Sequence, residues 1–250
     1  MSPVVIVDLD DTLIPDVPAA HAATGLVLRE LSLPDDPGPV LDAARRTWRE
    51  NPYRGHPEVQ RVSSWEALWA DFDDLPLPPD AASALAGHDV RAWRAALSDL
   101  KSDADLEQVA QSYRRHRRAL VRPFPGAVAT LDGLRARHDL WLATDGCRSL
   151  QRGKLKLAGL ADRFERVFVS GEVGYPKGSH EFADVVRAAL GERPVCLLAG
   201  DSVSGDLALA SAGGWPAVHI CGSAVCSATA EAEHTADFAG VEAFCRCSLS

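Results

Sequence analysis

Asp8 and Asp10 close a run of apolar residues, Val4 to Val7, in the segment VVIVDLDDTL. Two carboxylates this close repel each other, and keeping both ionised needs a cation or a protonated partner between them. A divalent metal is the simplest answer. Further along, Thr144-Asp145-Gly146 offers a hydroxyl and a turn of backbone N–H groups, which can hold the oxygens of an anion without adding repulsion. Gly146 lets the backbone come close to a ligand. Lys177, the only lysine after Lys156, is a cation that can offset the charge of an anionic substrate facing a carboxylate. Gly200-Asp201 and Asp206 add two more acids after a second apolar run. Oxygen donors of this kind, with few protein ligands and room for water, suit Mg²⁺ better than zinc.

These residues need elements to position them. An apolar run without alternation, such as Val4 to Val7, suits a central strand of a parallel sheet covered on both faces. In open α/β sheets ligands sit beyond the carboxyl ends of the strands, which puts Asp8 and Asp10 at the mouth of a site. From residue 123 onward the pattern alternates. Helices are expected at 127–137, 149–158, 179–190 and 203–212, and strands at 139–144, 166–169, 195–199 and 217–220. That alternation predicts right-handed βαβ units and a Rossmann-like parallel sheet flanked by helices. Residues 15–122 have little strand character and read as helices at 19–31, 40–49, 65–72, 90–97 and 104–120, with turn-rich breaks at 33–38 and 75–80. Residues 1–14 and 123–250 are therefore expected to form one α/β domain interrupted by an all-helical insert at 15–122. The tail from Cys221 is expected to add a short strand and a helix.

Composition narrows the partners. A net charge of −9 argues against nucleic acid or an anionic membrane as the main partner. The start, Met1-Ser2-Pro3, lacks a basic leader, and no segment is long and apolar enough to span a bilayer, so a cytoplasmic location is expected. The six cysteines include no CxxC pair and would stay reduced there. Cys245-Arg246-Cys247 has the makings of a metal or redox pair, although surface or packing thiols are the simpler reading.

The stretch Asp8-Leu9-Asp10-Asp11-Thr12-Leu13, the strand ending in Thr144, the loop lysine Lys177 and the segment from Gly200-Asp201 to Asp206 follow in the order of the four motifs of the haloacid dehalogenase-like (HAD) hydrolase superfamily. The chain resembles its phosphatase branch. The resemblance implies Asp8 as nucleophile, Asp10 as general acid and base, Thr144, Asp145, Gly146 and Lys177 around the phosphoryl group, and Mg²⁺ on Asp8, Asp201 and the backbone carbonyl of Asp10. Asp206 is then expected to orient Lys177 or a metal-bound water. Departures are Asp145, where many members carry Asn, and Pro176, which precedes Lys177 instead of following it. Asp10 also separates chemistries, because the dehalogenating branch lacks an acid at that position. The insert matches a helical cap, with Tyr53, Arg54 and His56 in a donor-rich loop as candidate specificity residues. Trp65, Leu68 and Trp69 are expected in the cap's core, and Arg114 to Arg118 on a solvated helix. The expected function is a Mg²⁺-dependent phosphomonoester hydrolase acting on a small phosphorylated metabolite. The alternatives are a sugar phosphomutase and a non-catalytic binding protein on the same fold.

Overall fold

A computed structural model of the chain describes residues 2–100, 103–222 and 232–245. Six strands form one sheet: β1 (Val4–Val7), β2 (Asp139–Thr144), β3 (Arg166–Val169), β4 (Val195–Gly200), β5 (Ala217–Ile220) and β6 (Glu233–Thr235). Their order is β3-β2-β1-β4-β5-β6, and every neighbouring pair runs parallel. The fold is the Rossmann-like α/β arrangement that the alternating pattern predicts.

The apolar run of β1 is explained by what lies on each side of it. Val5 and Val7 face a core shared with the helices that follow β1, while Val4 and Ile6 face Phe182, Ala183, Val186 and Leu209 on the other side. With both faces covered, no position along the strand is left for a polar residue. β1 lies between β2 and β4, so the carboxyl ends of these three strands carry Asp8, Thr144 and Asp201 to one edge of the sheet.

Between β1 and β2 the chain forms α1 (Val17–Glu30), α2 (Gly38–Glu50), α3 (Pro79–Leu85), α4 (His88–Asp99), α5 (Leu106–Leu120) and α6 (Ala127–Arg135). Prolines in the first turn start α1, α2 and α3, where a missing N–H costs nothing. Asp105 caps α5 by accepting from the N–H groups of Glu107 and Gln108. α3 was not expected, because the prolines before it read as a turn. The reverse holds for residues 65–72, where successive turns replace the expected helix. Ser63 and Glu66 form a reciprocal cap there, with Ser63 N–H on Glu66 and Glu66 N–H on Ser63 Oγ. Ala67, Leu68, Trp69 and Ala70 are then buried in succession, which a helix with one inward face cannot do.

After β2 come α7 (Arg148–Leu157), β3, the single turn α8 (Ser170–Val173), α9 (His180–Leu190) and β4. The helix expected at 203–212 begins instead as a π-helical turn over Val203–Leu207 and continues as α10 (Ala208–Gly213). The tail supplies the expected short strand, β6, and its helix as a 3₁₀ segment, Phe238–Phe244. Cys226 and Cys247 lie outside the described residues. Among the described residues no helix is long and apolar enough to cross a membrane.

Candidate active site

The edge formed by β1, β2 and β4 gathers most of the predicted site. Lys177, 3% exposed, donates from Nζ to Asp8 Oδ1 at 2.5 Å and pairs with Asp206 Oδ1 at 2.8 Å. Burial alone would lower the pKa of this ammonium, yet the charges of Asp206, Asp8 and Asp145 raise it overall, so it stays a cation. Burial, then the facing charge of Asp206, pushes Asp8 up to about 7 against the pull of Lys177. Asp201 is likewise raised to about 7, by burial and then by Asp8. Asp206 is placed by the π-helical turn: Ser202 N–H donates to its Oδ2 at 3.0 Å, and Gly200 leaves the space its carboxyl group fills. A Cβ on Gly200 would stand 2.1 Å from Asp206 Cγ.

Asp10 faces a different cation. Lys154, from α7, donates from Nζ to both Asp10 oxygens at 2.8 Å, and also reaches Glu66 at 2.6 Å and Asp16 at 3.0 Å. Gln151, one turn earlier, donates to Asp10 Oδ2 at 3.1 Å and Glu66 Oε1 at 2.9 Å, while its own carbonyl oxygen accepts from Thr144 Oγ1 at 3.4 Å. Arg117, from α5, pairs with Asp16, and Trp65 Nε1 donates to the other Asp16 oxygen. Burial raises Asp10 well above the ordinary carboxylate range; Lys154 opposes this and the charges of Asp16 and Glu66 add to it. Asp16 goes the other way, down to about 2, because Lys154 and Arg117 outweigh its burial.

The turn after β2 completes the edge. Asp145 accepts from Lys177 N–H at 2.9 Å and from Arg61 Nε at 3.0 Å, so the residue that departs from Asn anchors the lysine loop and a residue of the helical segment together. Gly146 has a φ of +131° and lies against Gln151, where a Cβ would come within 2.5 Å of Nε2. Asp8, Asp10, Thr144, Asp145, Lys177 and Asp201 line one cavity of about 340 Å³, joined by Asp11, Asp16, Arg61, Ser63, Trp65, Glu66 and Ser202.

Tyr53, Arg54 and His56 are not among the residues lining this cavity. Tyr53 OH donates instead to Asp80. Trp65, expected in the packed interior, lines the cavity, whereas Leu68 and Trp69 are buried. Arg117, expected on a solvated helix face, is 1% exposed and stacks over Trp69 at 4.9 Å. Sequence reasoning missed Lys154, Gln151, Glu66 and Asp16 altogether. The available signal was spacing, since Gln151 and Lys154 fall on the face of α7 that Leu150 and Leu155 bury.

A family model described as a haloacid dehalogenase-like hydrolase matches residues 3–213. The chain belongs to that family. Among relatives, the protein named phosphoserine phosphatase from Thermus thermophilus is 33% identical over 219 residues, spanning 86% of this chain and 87% of its own. Pyrimidine 5'-nucleotidase YjjG from Escherichia coli is 32% identical over 87 residues, 34% of this chain and 39% of its own. Solved HAD folds superpose along nearly the full length. The HAD-hydrolase YfnB from Bacillus subtilis, described as bound to magnesium, aligns with a TM-score of 0.65 at 19% identity over 98% of each chain. The L-2-haloacid dehalogenase from Xanthobacter autotrophicus with chloropropionic acid covalently bound aligns with a TM-score of 0.62 at 15% identity, over 99% of this chain and 100% of its own.

The donor set of this HAD site fits a hard divalent cation. Asp8, Asp201 and Asp206 each bring an oxygen within 4.8 Å of the others. Both oxygens of Asp206 are engaged, by Lys177 and by Ser202 N–H, whereas Lys177 takes only Oδ1 of Asp8, so Asp8 and Asp201 are the carboxylates with an oxygen to offer an ion. Burial raises both pKa values, with the charge of Asp206 adding to Asp8 and that of Asp8 adding to Asp201, and a cation held between them would offset that cost.

Proposed function

We propose that this HAD hydrolase is a Mg²⁺-dependent phosphomonoester hydrolase working through an aspartyl-phosphate. Asp10 carries the reading. Halide leaves carbon without a proton, whereas the alkoxide of a phosphate ester needs one, and Asp10 is a carboxyl group whose surroundings favour the protonated form. The full-length relative named as a phosphatase of phosphoserine supports the same choice.

In this mechanism Asp8 attacks phosphorus in line; the bond to the ester oxygen breaks, and Asp10 gives that oxygen its proton. The ionised Asp10 then takes a proton from water as its oxygen attacks the aspartyl-phosphate, which frees phosphate and returns the Asp8 carboxylate. Lys177, held by Asp206, offsets the charge of the phosphoryl group, and Thr144 at the cavity wall holds its oxygens; the Gly146 N–H, expected to join it, is taken by Ser170 Oγ at 2.9 Å and Gly146 lies outside the cavity lining. Asp8, Asp201 and the Asp10 carbonyl would hold Mg²⁺, which would supply positive charge to screen substrate from nucleophile. Residues 15–122 act as the cap, with Arg61, Ser63 and Trp65 facing the leaving group from their place in the cavity wall.

The test is phosphate release from phosphoserine, sugar phosphates, nucleotides and an activated aryl phosphate, with and without Mg²⁺, beside a 2-haloacid as counter-substrate. Metal-dependent release that vanishes in a folded Asp8→Asn variant is expected. Halide release without phosphate release would reverse the assignment.

A further inference from the structure

At the opposite end of the sheet from the acids, three metal-ligating side chains converge. His138 stands immediately before β2, Cys196 is the second residue of β4, and Cys245 directly follows the 3₁₀ segment Phe238–Phe244. Because β2 and β4 flank β1, His138 and Cys196 straddle the start of the central strand. One ligand atom from each of the three lies within 4.8 Å of the other two. A point between atoms so spaced is at most about 2.8 Å from each, about 0.5 Å beyond the bond that Zn²⁺ makes to thiolate and about 0.7 Å beyond its bond to imidazole, a gap that small side-chain rotations close.

Two local features aim these side chains at one another. Along the β1 and β4 pair the register jumps: Val4 is opposite Val195 and Val5 opposite Leu197, so Cys196 is an extra residue in a bulge. A bulge re-aims its side chain, and Cys196 accordingly packs on the same face as its neighbour Leu197 rather than the opposite one. The His138 ring, 6% exposed, holds Nδ1 3.2 Å from the carbonyl of Leu134. A ring N–H on a backbone carbonyl is the arrangement that fixes a zinc-binding imidazole, with Nε2 left as the ligand. Cys245 is brought up by a docked segment: Phe238 and Val241 are buried, and Glu242 pairs with Arg137, the residue before His138, at 2.7 Å.

We propose that His138, Cys196 and Cys245 form a structural site for a soft divalent cation, Zn²⁺ in the first instance, that staples the C-terminal segment to the amino end of the sheet. Nitrogen and thiolate donors select such an ion, just as the all-oxygen edge selects Mg²⁺. The two sites lie at opposite ends of the strands, and this one needs no role in turnover.

The experiment uses the full chain, purified under reducing conditions, stripped with chelator and titrated with Zn²⁺ and with Co²⁺. About one Zn²⁺ per chain beyond any held by carboxylates is expected, together with a thiolate-to-cobalt charge-transfer band that an oxygen-only site cannot give. Cys245→Ser, at a half-buried position, should lose the band and weaken Zn²⁺ binding by about a hundredfold, and the buried Cys196→Ser should do the same if it folds. Zn²⁺ should also raise the melting temperature of the wild type and not of Cys245→Ser. A wild type without the cobalt band, a band retained in Cys245→Ser, or peptide mapping that finds Cys196 and Cys245 joined as a disulfide would overturn the site.

Discussion

One ammonium, Lys154, serves three carboxylates that come from a strand end, from the start of α1 and from the turns at residues 63–70. Removing a buried partner leaves its acids uncompensated, so Lys154→Met should cost about 3–5 kcal/mol in urea unfolding. Its effect on catalysis should depend on the leaving group. With Asp10 unanchored, kcat/KM for an alkyl phosphate should fall about tenfold further than for an activated aryl phosphate, which departs without a proton. Equal losses on both would make Lys154 purely structural. The acids at the other pole set a pH dependence. Asp8 and Asp201 have folded-state pKa values of about 7, above their unfolded values. Folded protein then binds more protons than unfolded, so these two groups reduce stability as pH rises from about 4 to about 7, and a bound cation removes that loss. The rise in melting temperature on adding Mg²⁺ should therefore be larger at about pH 8 than at about pH 5. A rise independent of pH would count against the two carboxylates as the ligands. Asp16 has the opposite sign: its pKa of about 2 contributes stability that is lost as pH falls from about 4 towards 2.

At the scale of elements, the π-helical turn after β4 and Gly200 act together, since the turn sends Asp206 back against the strand end and the glycine admits it. Gly200→Ala should displace Asp206 and with it Lys177, lowering kcat more than it raises KM and costing about 1–3 kcal/mol from overpacking. Steady-state kinetics and a melting curve on the same preparation would read both. Strand positions and the acids that end them were legible in the sequence, because a doubly covered strand has a plain apolar signature and the site residues sit where those runs stop. The Lys154 cluster was not legible. A lysine on an amphipathic helix reads as solvated, and the acids that draw it inward lie 144, 138 and 88 residues away. Residues 65–72 were misread as a helix for a related reason: neighbours on every side, not period, decide the conformation of a segment buried all round.

Across the whole molecule, one apolar cluster runs from Val5 and Val7 of the central strand to Trp48, Trp93 and Tyr113 among the helices of residues 15–122. Sheet and helical segment should consequently melt in a single transition, with calorimetric and van't Hoff enthalpies in agreement. Trp93→Ala, which opens a hole in the helical part, should destabilise the entire chain by about 3–5 kcal/mol. Two resolved transitions would instead mark separate folding units. The cavity at the edge of the sheet is walled mainly by acids. Asp8, Asp10, Asp11, Asp16, Glu66, Asp145 and Asp201 line it against Lys177 and Arg61, in a chain already carrying a net charge of −9. With acids outnumbering cations in its wall, such a basin is expected to hold a free phosphate dianion weakly. Weak inhibition by added inorganic phosphate is the expected outcome under the proposed hydrolase reading, and a phosphate titration of the initial rate would check it.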